Sequence, residues 1–408
     1  MSRITPNATD VRGARAVRED RPLRVALLGH GLRGAGGVSV GKNLIPALAR
    51  AAPQHRYFLT IPAGLGFEEV CRAIPDAEVR VCEERGRLRR WIDETFVLPR
   101  IVREFRPDVV VGLADRGLVR PPCPQAILVH RAQLFYPPKH SGADTWRNRL
   151  LFRYHAHHLR KSLRRTDLLL CQTPVAERRL RQTYGYTGRV EVLPNAVSRF
   201  TVGGEVEAAM PEPLRPYADR MRLFCLTRYY GHKNLEAAVE VFRRFWEDLP
   251  DVVVITTIAS DQHPNARRFL RAIARHGLGD HVVNVGPLPQ AALAGYYRNC
   301  QALFLPTLLE SFSGTYLEAM HFGVPILTSD LDFAHAVCGD AAIYFDPWDP
   351  VSIKNAILRL KGDPALGAEL VAKGRARLET MFGSWDQVAR DLAGLLAEIA
   401  APAPREGG

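Results

Sequence analysis

No stretch of the 408 residues approaches the run of about 20 apolar residues that spans a bilayer. The opening "MSRITPNATDVRGARAVRED" has no apolar middle of the kind a signal peptide carries, and no apolar periodicity; residues 1–20 read as a mobile tail. Cysteine is sparse and unpatterned. The seven (71, 82, 123, 171, 225, 300 and 338) are odd in number and without C-x-x-C spacing, which excludes a disulfide framework or a thiolate zinc site and points to reduced thiols in the cytoplasm. Acidic residues are scarce in one place above all. "RNRLLFRYHAHHLRKSLRR" (147–165) carries seven Arg or Lys and no acid, within a chain of net charge +12. Leu151, Tyr154, His158 or Leu159, and Leu163 recur at helical spacing there, so the segment reads as a basic amphipathic helix. Two readings stay open for it: a solvated face over an ordinary core contact, or a patch resting on anionic lipid headgroups at the inner face of the plasma membrane. Nucleic acid is disfavoured, because no aromatic-rich strand pair accompanies the charge.

What is present is a regular α/β rhythm. Short runs apolar on both faces fall at 23–28, 57–61, 108–113, 125–130, 168–172 and 190–193, with helices expected at about 39–51 and 67–73. The second half repeats the pattern through "RLFCLTR", a helix expected to be capped at Asn234, and the strands "VVVITTI", "VVNVG", "ALFLP" and "PILTS". A stretch rich in Gly, Pro and charge separates the halves. The fold class is therefore α/β, with two Rossmann-like, doubly wound parallel-sheet domains facing a cleft. The expected division is an N-terminal domain over 21–200, a linker over 201–220, a second domain over 221–382 and a final helix over 383–400. In such sheets ligands bind beyond the carboxyl ends of the strands, so polar residues just past a strand are the candidates.

"LLGHGLRGAGGVSVGKN" (27–43) holds two phosphate-binding patterns at once. Gly36 to Lys42 form most of a P-loop, but Asn43 stands where a magnesium-binding Ser or Thr belongs, and Gly36 lies well past the strand. Gly29, Gly31 and Gly34 form the dinucleotide fingerprint, but the next strand ends "FLTIPAGLG", without the ribose-binding acid. NAD is therefore rejected. What both patterns share survives: a glycine-rich turn lets backbone N–H groups and a helix start approach phosphate.

The other strand ends supply charge. His130 closes "QAILVH"; Arg228 closes "RLFCLTR", with Lys233 five residues on; Glu310 follows "ALFLPT", with Glu318 eight further inside a helix begun by Ser313, Gly314 and Thr315. Arg228 and Lys233 suit a diphosphate, one as a planar fork and one as a point charge. Exposed backbone amides at Ser313 and Gly314 would add to them. Glu318 offers a bidentate acceptor for vicinal ribose hydroxyls, and Glu310 an acceptor for sugar hydroxyls. A nucleotide diphosphate joined to a sugar meets these demands together.

"ESFSGTYLEAMHFGVPILTSD" resembles the E-x7-E segment of retaining glycosyltransferases of family 4, which have the two-domain GT-B fold. "TRYYGHKN" is similar to their diphosphate clamp, "VLPNAV" to their exit from the N-terminal domain, "GAGGVSVGKNLIPALA" to their glycine loop and "GDAAIYFDPWDP" to their closing strand. The matches run in order from about 23 to 390. The resemblance implies that Glu318 binds ribose, Arg228 and Lys233 hold the diphosphate, and Glu310 and His130 lie by the donor sugar. It also implies that Gly36 and Gly37 close on the pyrophosphate, that the last helix crosses back to the N-terminal domain, and that transfer retains anomeric configuration by front-face attack. No metal or further cofactor is implied. The chain departs from the family where Ser311, Ser313 and Thr315 replace two glycines and a proline, and where Arg131 follows His130 in place of an acid. "DLD" (330–332) imitates a metal-binding D-x-D and reads as a loop without metal.

The expected function is transfer of a sugar from a nucleotide-diphosphate donor to a polysaccharide or lipid-linked acceptor. Competing readings are an epimerase or phosphorylase-like enzyme on the same fold, and a non-catalytic subunit that binds a membrane or partner through 147–165.

Overall fold

The computed structural model describes residues 21–83, 86, 92–137, 146–202 and 209–401; the tail expected over 1–20 lies outside them, as do residues 203–208 of the expected linker. The first half runs β1 (Arg24–Leu28), α1 (Ala35–Ala51), β2 (Arg56–Pro62), α2 (Phe67–Arg72), β3 (Glu78–Cys82), α3 (Leu98–Phe105), β4 (Val109–Gly112), β5 (Gln125–Leu128), α4 (Trp146–Leu163), β6 (Leu168–Cys171), α5 (Pro174–Tyr184), β7 (Val190–Val192) and α6 (Arg199–Val202). The second runs β8 (Met221–Cys225), α7 (Glu236–Phe245), β9 (Val252–Thr256), α8 (Pro264–Arg275), β10 (Val282–Asn284), α9 (Leu293–Arg298), β11 (Ala302–Leu305), α10 (Gly314–Phe322), β12 (Ile326–Ser329), α11 (Asp332–Cys338), β13 (Ala342–Phe345), α12 (Pro350–Gly362), α13 (Pro364–Met381) and α14 (Trp385–Ala400).

Two parallel sheets result, in the orders β3-β2-β1-β4-β5-β6-β7 and β10-β9-β8-β11-β12-β13. The strand order reverses between β1 and β4 in one sheet and between β8 and β11 in the other. Those reversals open a crevice at the carboxyl ends of the strands, where crossovers depart to opposite faces. The central strands β4, β5, β6, β9 and β11 are buried at every residue, because helices cover both faces. The edge strand β3, "EVRVC", is largely exposed and lacks an apolar run, so it gave no signal in the sequence.

The last helix, α14, packs along α1. Trp385, Leu392, Leu395 and Leu396 enter the core of the N-terminal sheet beside Leu44 and Leu48, and Arg50 pairs with Asp386 at 2.6 Å. The C-terminal end of the chain is thereby part of the N-terminal core.

Four local expectations are corrected. α1 begins at Ala35, four residues early, so Gly36 and Gly37 stand in its first turn and not in a loop. β5 ends at Leu128, leaving His130 two residues beyond it, because the chain turns there onto the Asp115 carboxylate. Asn234 does not cap α7: it adopts φ +52° and its side chain donates to the Pro347 carbonyl at 2.9 Å. In α4 the expected apolar stripe divides. Leu159 and Leu163 are buried, whereas Leu151 and Tyr154 are 37% and 39% exposed, and His155 and Ser162 take inward positions.

Candidate functional site

The site is built from the segments that leave β1, β4, β5, β8 and β11. After β1 the chain makes a tight turn. The Gly29 N–H donates to the Thr60 carbonyl, and a side chain on Gly31 would meet Ala114 Cβ at 2.7 Å. Those two glycines serve close packing. Gly34 then starts α1 with no side-chain cap, and its first turn contains no acidic residue. The opening N–H groups of a helix lack intrahelical acceptors and carry the positive end of its dipole, so a start without a cap or an acid leaves room for an anion. A Cβ at Gly36 would meet nothing within 4 Å. At Gly37 it would come within 3.3 Å of the His130 ring, so His130 lies directly against the first turn of α1. Lys42 is further along α1, with Nζ beside Gly66, away from the helix start.

His130 also reaches the other domain. Its carbonyl accepts a hydrogen bond from the Ser311 hydroxyl, just past β11. Ser311 lies three residues before Gly314, where α10 begins. Ser313 at that start makes no capping bond; its hydroxyl pairs with that of Thr315 at 2.7 Å, and Gly314 is exposed with open space at its Cβ position. His130 thus bridges two helix starts that both lack side-chain caps, one from each sheet.

Arg228 and Lys233 follow β8. Arg228 is exposed, and its guanidinium bonds to no described residue. Lys233 ends a 3-10 turn (Gly231–Lys233) that is tied to the β11 exit, where Leu308 N–H and the Thr307 hydroxyl both donate to the His232 carbonyl at 2.7 and 3.1 Å. Burial, aided by Lys233, pushes the His232 imidazole down to about 3, so it stays neutral. The Lys233 ammonium pairs with the Glu310 carboxylate, and both side chains are mostly buried.

Glu318 differs from the open acceptor expected at its position. It is 8% exposed, and each carboxylate oxygen has a partner: Oε1 accepts from Thr201 at 2.9 Å and Oε2 from Tyr297 at 2.8 Å. Burial raises its pKa, against the pull of those two hydroxyls. Thr201 belongs to α6, in the segment joining the domains.

"DLD" is corrected in part. Asp330 is exposed and pairs with His335 at 2.6 Å, but Asp332 opens α11 and is no loop residue. Its carboxylate receives Arg179 at 2.6 and 2.9 Å and Tyr136 at 2.8 Å, both from the N-terminal half, with Arg179 stacked over the Tyr136 ring. Among the described residues no group of three or more His, Cys, Asp or Glu could hold a metal ion.

Sequence reasoning missed Thr201, Tyr297, Asp332 as a clasp, and Asn43. Asn43 is buried; its Oδ1 accepts from Arg199 N–H at 3.1 Å and its amide reaches Ser198 at 3.3 Å, fixing α1 to the interdomain segment. It also missed Asp115, although this is a polar residue only three positions past β4.

Two family models match this chain: Glycosyltransferase Family 4 over residues 35–199 and Glycosyl transferases group 1 over 207–377. The chain belongs to glycosyltransferase family 4. Among curated relatives of this family 4 chain, D-inositol 3-phosphate glycosyltransferase of Xylanimonas cellulosilytica is 26% identical over 240 residues, 57% of each chain. O-antigen chain mannosyltransferase RfbU of Salmonella typhimurium is 21% identical over 59% of this chain and 62% of its own. The match therefore spans little more than half the length of these relatives. Anabaena HepE, in a crystal structure with UDP and glucose, superposes with TM-score 0.68 at 14% identity, over 92% of this chain and all of that one. The two-sheet architecture is that of the GT-B fold.

Proposed function

We propose that this family 4 chain is a retaining glycosyltransferase that moves a sugar from a nucleotide-diphosphate donor to a polysaccharide or lipid-linked acceptor. The observation that carries the reading is the bridge at His130. Two helix starts without side-chain caps, from opposite sheets, meet at this one residue: Gly37 lies against its ring, and Ser311, just before the second start, bonds to its carbonyl. Lys233 is pre-placed beside them by Glu310, and Arg228 is free to swing in. In the reaction the diphosphate leaves with growing negative charge, and donors fixed in advance stabilise that charge without reorganising. Arg228, Lys233 and the helix-start amides of Gly36, Gly37, Gly314 and Thr315 fill this role, and the reading requires neither a metal nor a further cofactor. Glu318 takes the ribose, and Glu310 and His130 flank the sugar. Named relatives act on an inositol phosphate and on O-antigen chains, which supports a hydroxyl-rich acceptor.

The test is product analysis. Incubated with UDP-glucose or GDP-mannose, the protein should release the nucleoside diphosphate, and the first sugar product seen by proton NMR should keep the donor's α configuration. A β product would contradict the retaining assignment.

We infer further that α4 rests on an anionic membrane surface, the inner face of the plasma membrane in a cytoplasmic protein. Trp146, Leu150, Arg153, His157 and Lys161 recur at helical spacing on its outward face, Trp146 and Leu150 being 67% and 54% exposed. An exposed apolar stripe flanked only by positive charge is the pattern of a headgroup-bound helix. No helix among the described residues is long and apolar enough to cross a membrane. Replacing Arg153, Lys161 and Arg164 by Gln should weaken binding to phosphatidylglycerol vesicles about 100-fold, at about 1 kcal/mol per charge removed. Donor hydrolysis in solution should stay unchanged. Equal sedimentation of wild type and variant would remove the membrane assignment.

A further inference from the structure

Asp115 is one of four described non-glycine residues with positive φ, at +64°. The cause is local. A Cβ at Gly112 would stand 2.1 Å from the Arg116 carbonyl oxygen, so the chain folds back on itself immediately after β4. Asp tolerates the left-handed region better than most residues, yet such positions are uncommon and collect at functional sites. The Asp115 N–H donates to the Leu128 carbonyl at 3.1 Å, which seats the loop on the end of β5.

The carboxylate is 3% exposed and aimed at one place. Oδ1 accepts two successive backbone N–H groups, from His130 and Arg131, each at 2.8 Å. Oδ2 stands 3.6 Å from His130 Nε2 and 3.4 Å from Arg131 Nε, and has no hydrogen bond from a described residue. His130 Nδ1 is likewise buried without a partner. Burial opposes a charge on Asp115, but His130, Arg131 and the two N–H groups outweigh it and hold the carboxyl below its usual range. Buried polar atoms are seldom left unpaired, so a carboxylate oxygen without a hydrogen bond that faces Nε2 of this ring marks a geometry held for use.

We propose that Asp115 is a positioning residue for His130: its carboxylate fixes the backbone of residues 130–131 and the pose of the imidazole against Gly37. The acid absent from position 131 is supplied here from the end of the neighbouring strand. One oxygen holds the main chain while the other faces the ring, so whenever the imidazole carries a single proton that proton is directed to Nε2. The proposal rests on the donor-site reading above, in which His130 touches the sugar.

Asp115→Asn is the decisive variant, because its amide oxygen keeps the acceptor for both N–H groups while an NH2 replaces the oxygen facing Nε2. If Asp115 only staples the loop, this variant should behave as wild type. If it positions the ring, two changes are expected. Nitrogen-15 NMR of the ligand-free protein should show the His130 tautomer moving from Nε2–H toward Nδ1–H. With UDP-glucose or GDP-mannose as probe donor, kcat should fall at least tenfold while KM stays within threefold, and Asp115→Asn combined with His130→Ala should be no worse than His130→Ala alone. An unchanged tautomer, or an unchanged kcat in a variant whose tautomer has moved, would overturn the proposal. Should the wild type turn over neither donor, the donor reading fails in its own right, and the tautomer measurement alone decides the role of Asp115.

Discussion

Replacing Lys233 by alanine is expected to lower donor turnover by about 10²–10³-fold, the usual cost of removing one pre-positioned donor to a developing negative charge. Two effects combine at this position. Lys233 is held by Glu310 in a mostly buried pair, so the ammonium is already in place for the proposed diphosphate. Its removal takes away a cation and also leaves Glu310 as a buried carboxylate without a counter-charge, where an anion must bind. The double variant Lys233→Ala with Glu310→Gln should therefore recover nucleoside-diphosphate affinity relative to Lys233→Ala, without recovering turnover. Arg228→Ala should cost less in stability than either, because Arg228 is exposed and pairs with no described residue. Calorimetric titration with UDP and GDP, beside steady-state rates, separates the terms. Turnover within threefold of wild type in Lys233→Ala would remove Lys233 from the diphosphate site.

Substitution of Glu318 should have the second-largest effect, and a divided one. Glu318→Ala leaves the Thr201 and Tyr297 hydroxyls unpaired in a buried space, at about 1–3 kcal/mol for each group left without a partner. Glu318→Gln keeps an acceptor for one hydroxyl and a donor for the other, so it should fold well. In the proposed site either change removes the charged acceptor for ribose, worth about 1.5–3 kcal/mol, or about 10–150-fold in nucleotide affinity. The raised pKa of Glu318 fixes a pH signature. A carboxyl raised in the folded state contributes stability below its unfolded value, near 4.5, and loses it as pH rises through the folded value. The melting temperature of Glu318→Gln relative to wild type should therefore climb as pH rises above 4.5 and level off above the folded value. A difference that is flat with pH would mean Glu318 is not held in a buried, charge-opposing environment. Thr201→Val examines the same carboxylate from the other side. If ribose displaces the Thr201 hydroxyl, this variant binds nucleotide more tightly than wild type, and donor binding is then coupled to the interdomain segment that carries Thr201.

The parts of this arrangement legible in the sequence are those determined by short-range physics. Runs such as "VALL" at 25–28, "LFC" at 223–225 and "ALFL" at 302–305 are apolar on both faces because both faces are covered, and their ends point to the glycines of α1, Arg228 and Glu310. The spacing of Glu310 and Glu318 was visible because one helix and its entry loop carry both. Pairings across the fold were not visible. Thr201 and Glu318 are 117 residues apart, and Asp332 and Arg179 are 153 apart, with no local pattern to announce either. The exposed Leu151 and Tyr154 show the limit of periodicity. An apolar stripe establishes that a helix has a face, and only the packing partner shows whether that face is covered. Asp115 was missed for a different reason: its partners, the N–H groups of His130 and Arg131, lie 15 and 16 residues on, across a turn that no local pattern announces.

The central claim is that a nucleoside diphosphate binds in the cleft between the two sheets, with its ribose on Glu318. It is tested most directly by the melting temperature of wild type and Glu318→Gln with UDP, GDP, ADP, NAD and ATP. At about 100 times its Kd a ligand adds about 2.7 kcal/mol, a readily measured shift. The account predicts stabilisation by one nucleoside diphosphate well above the others, greatly reduced in Glu318→Gln. Stabilisation by NAD, equal in both proteins, would contradict it and return the Gly29–Gly31–Gly34 turn to the role of a dinucleotide site.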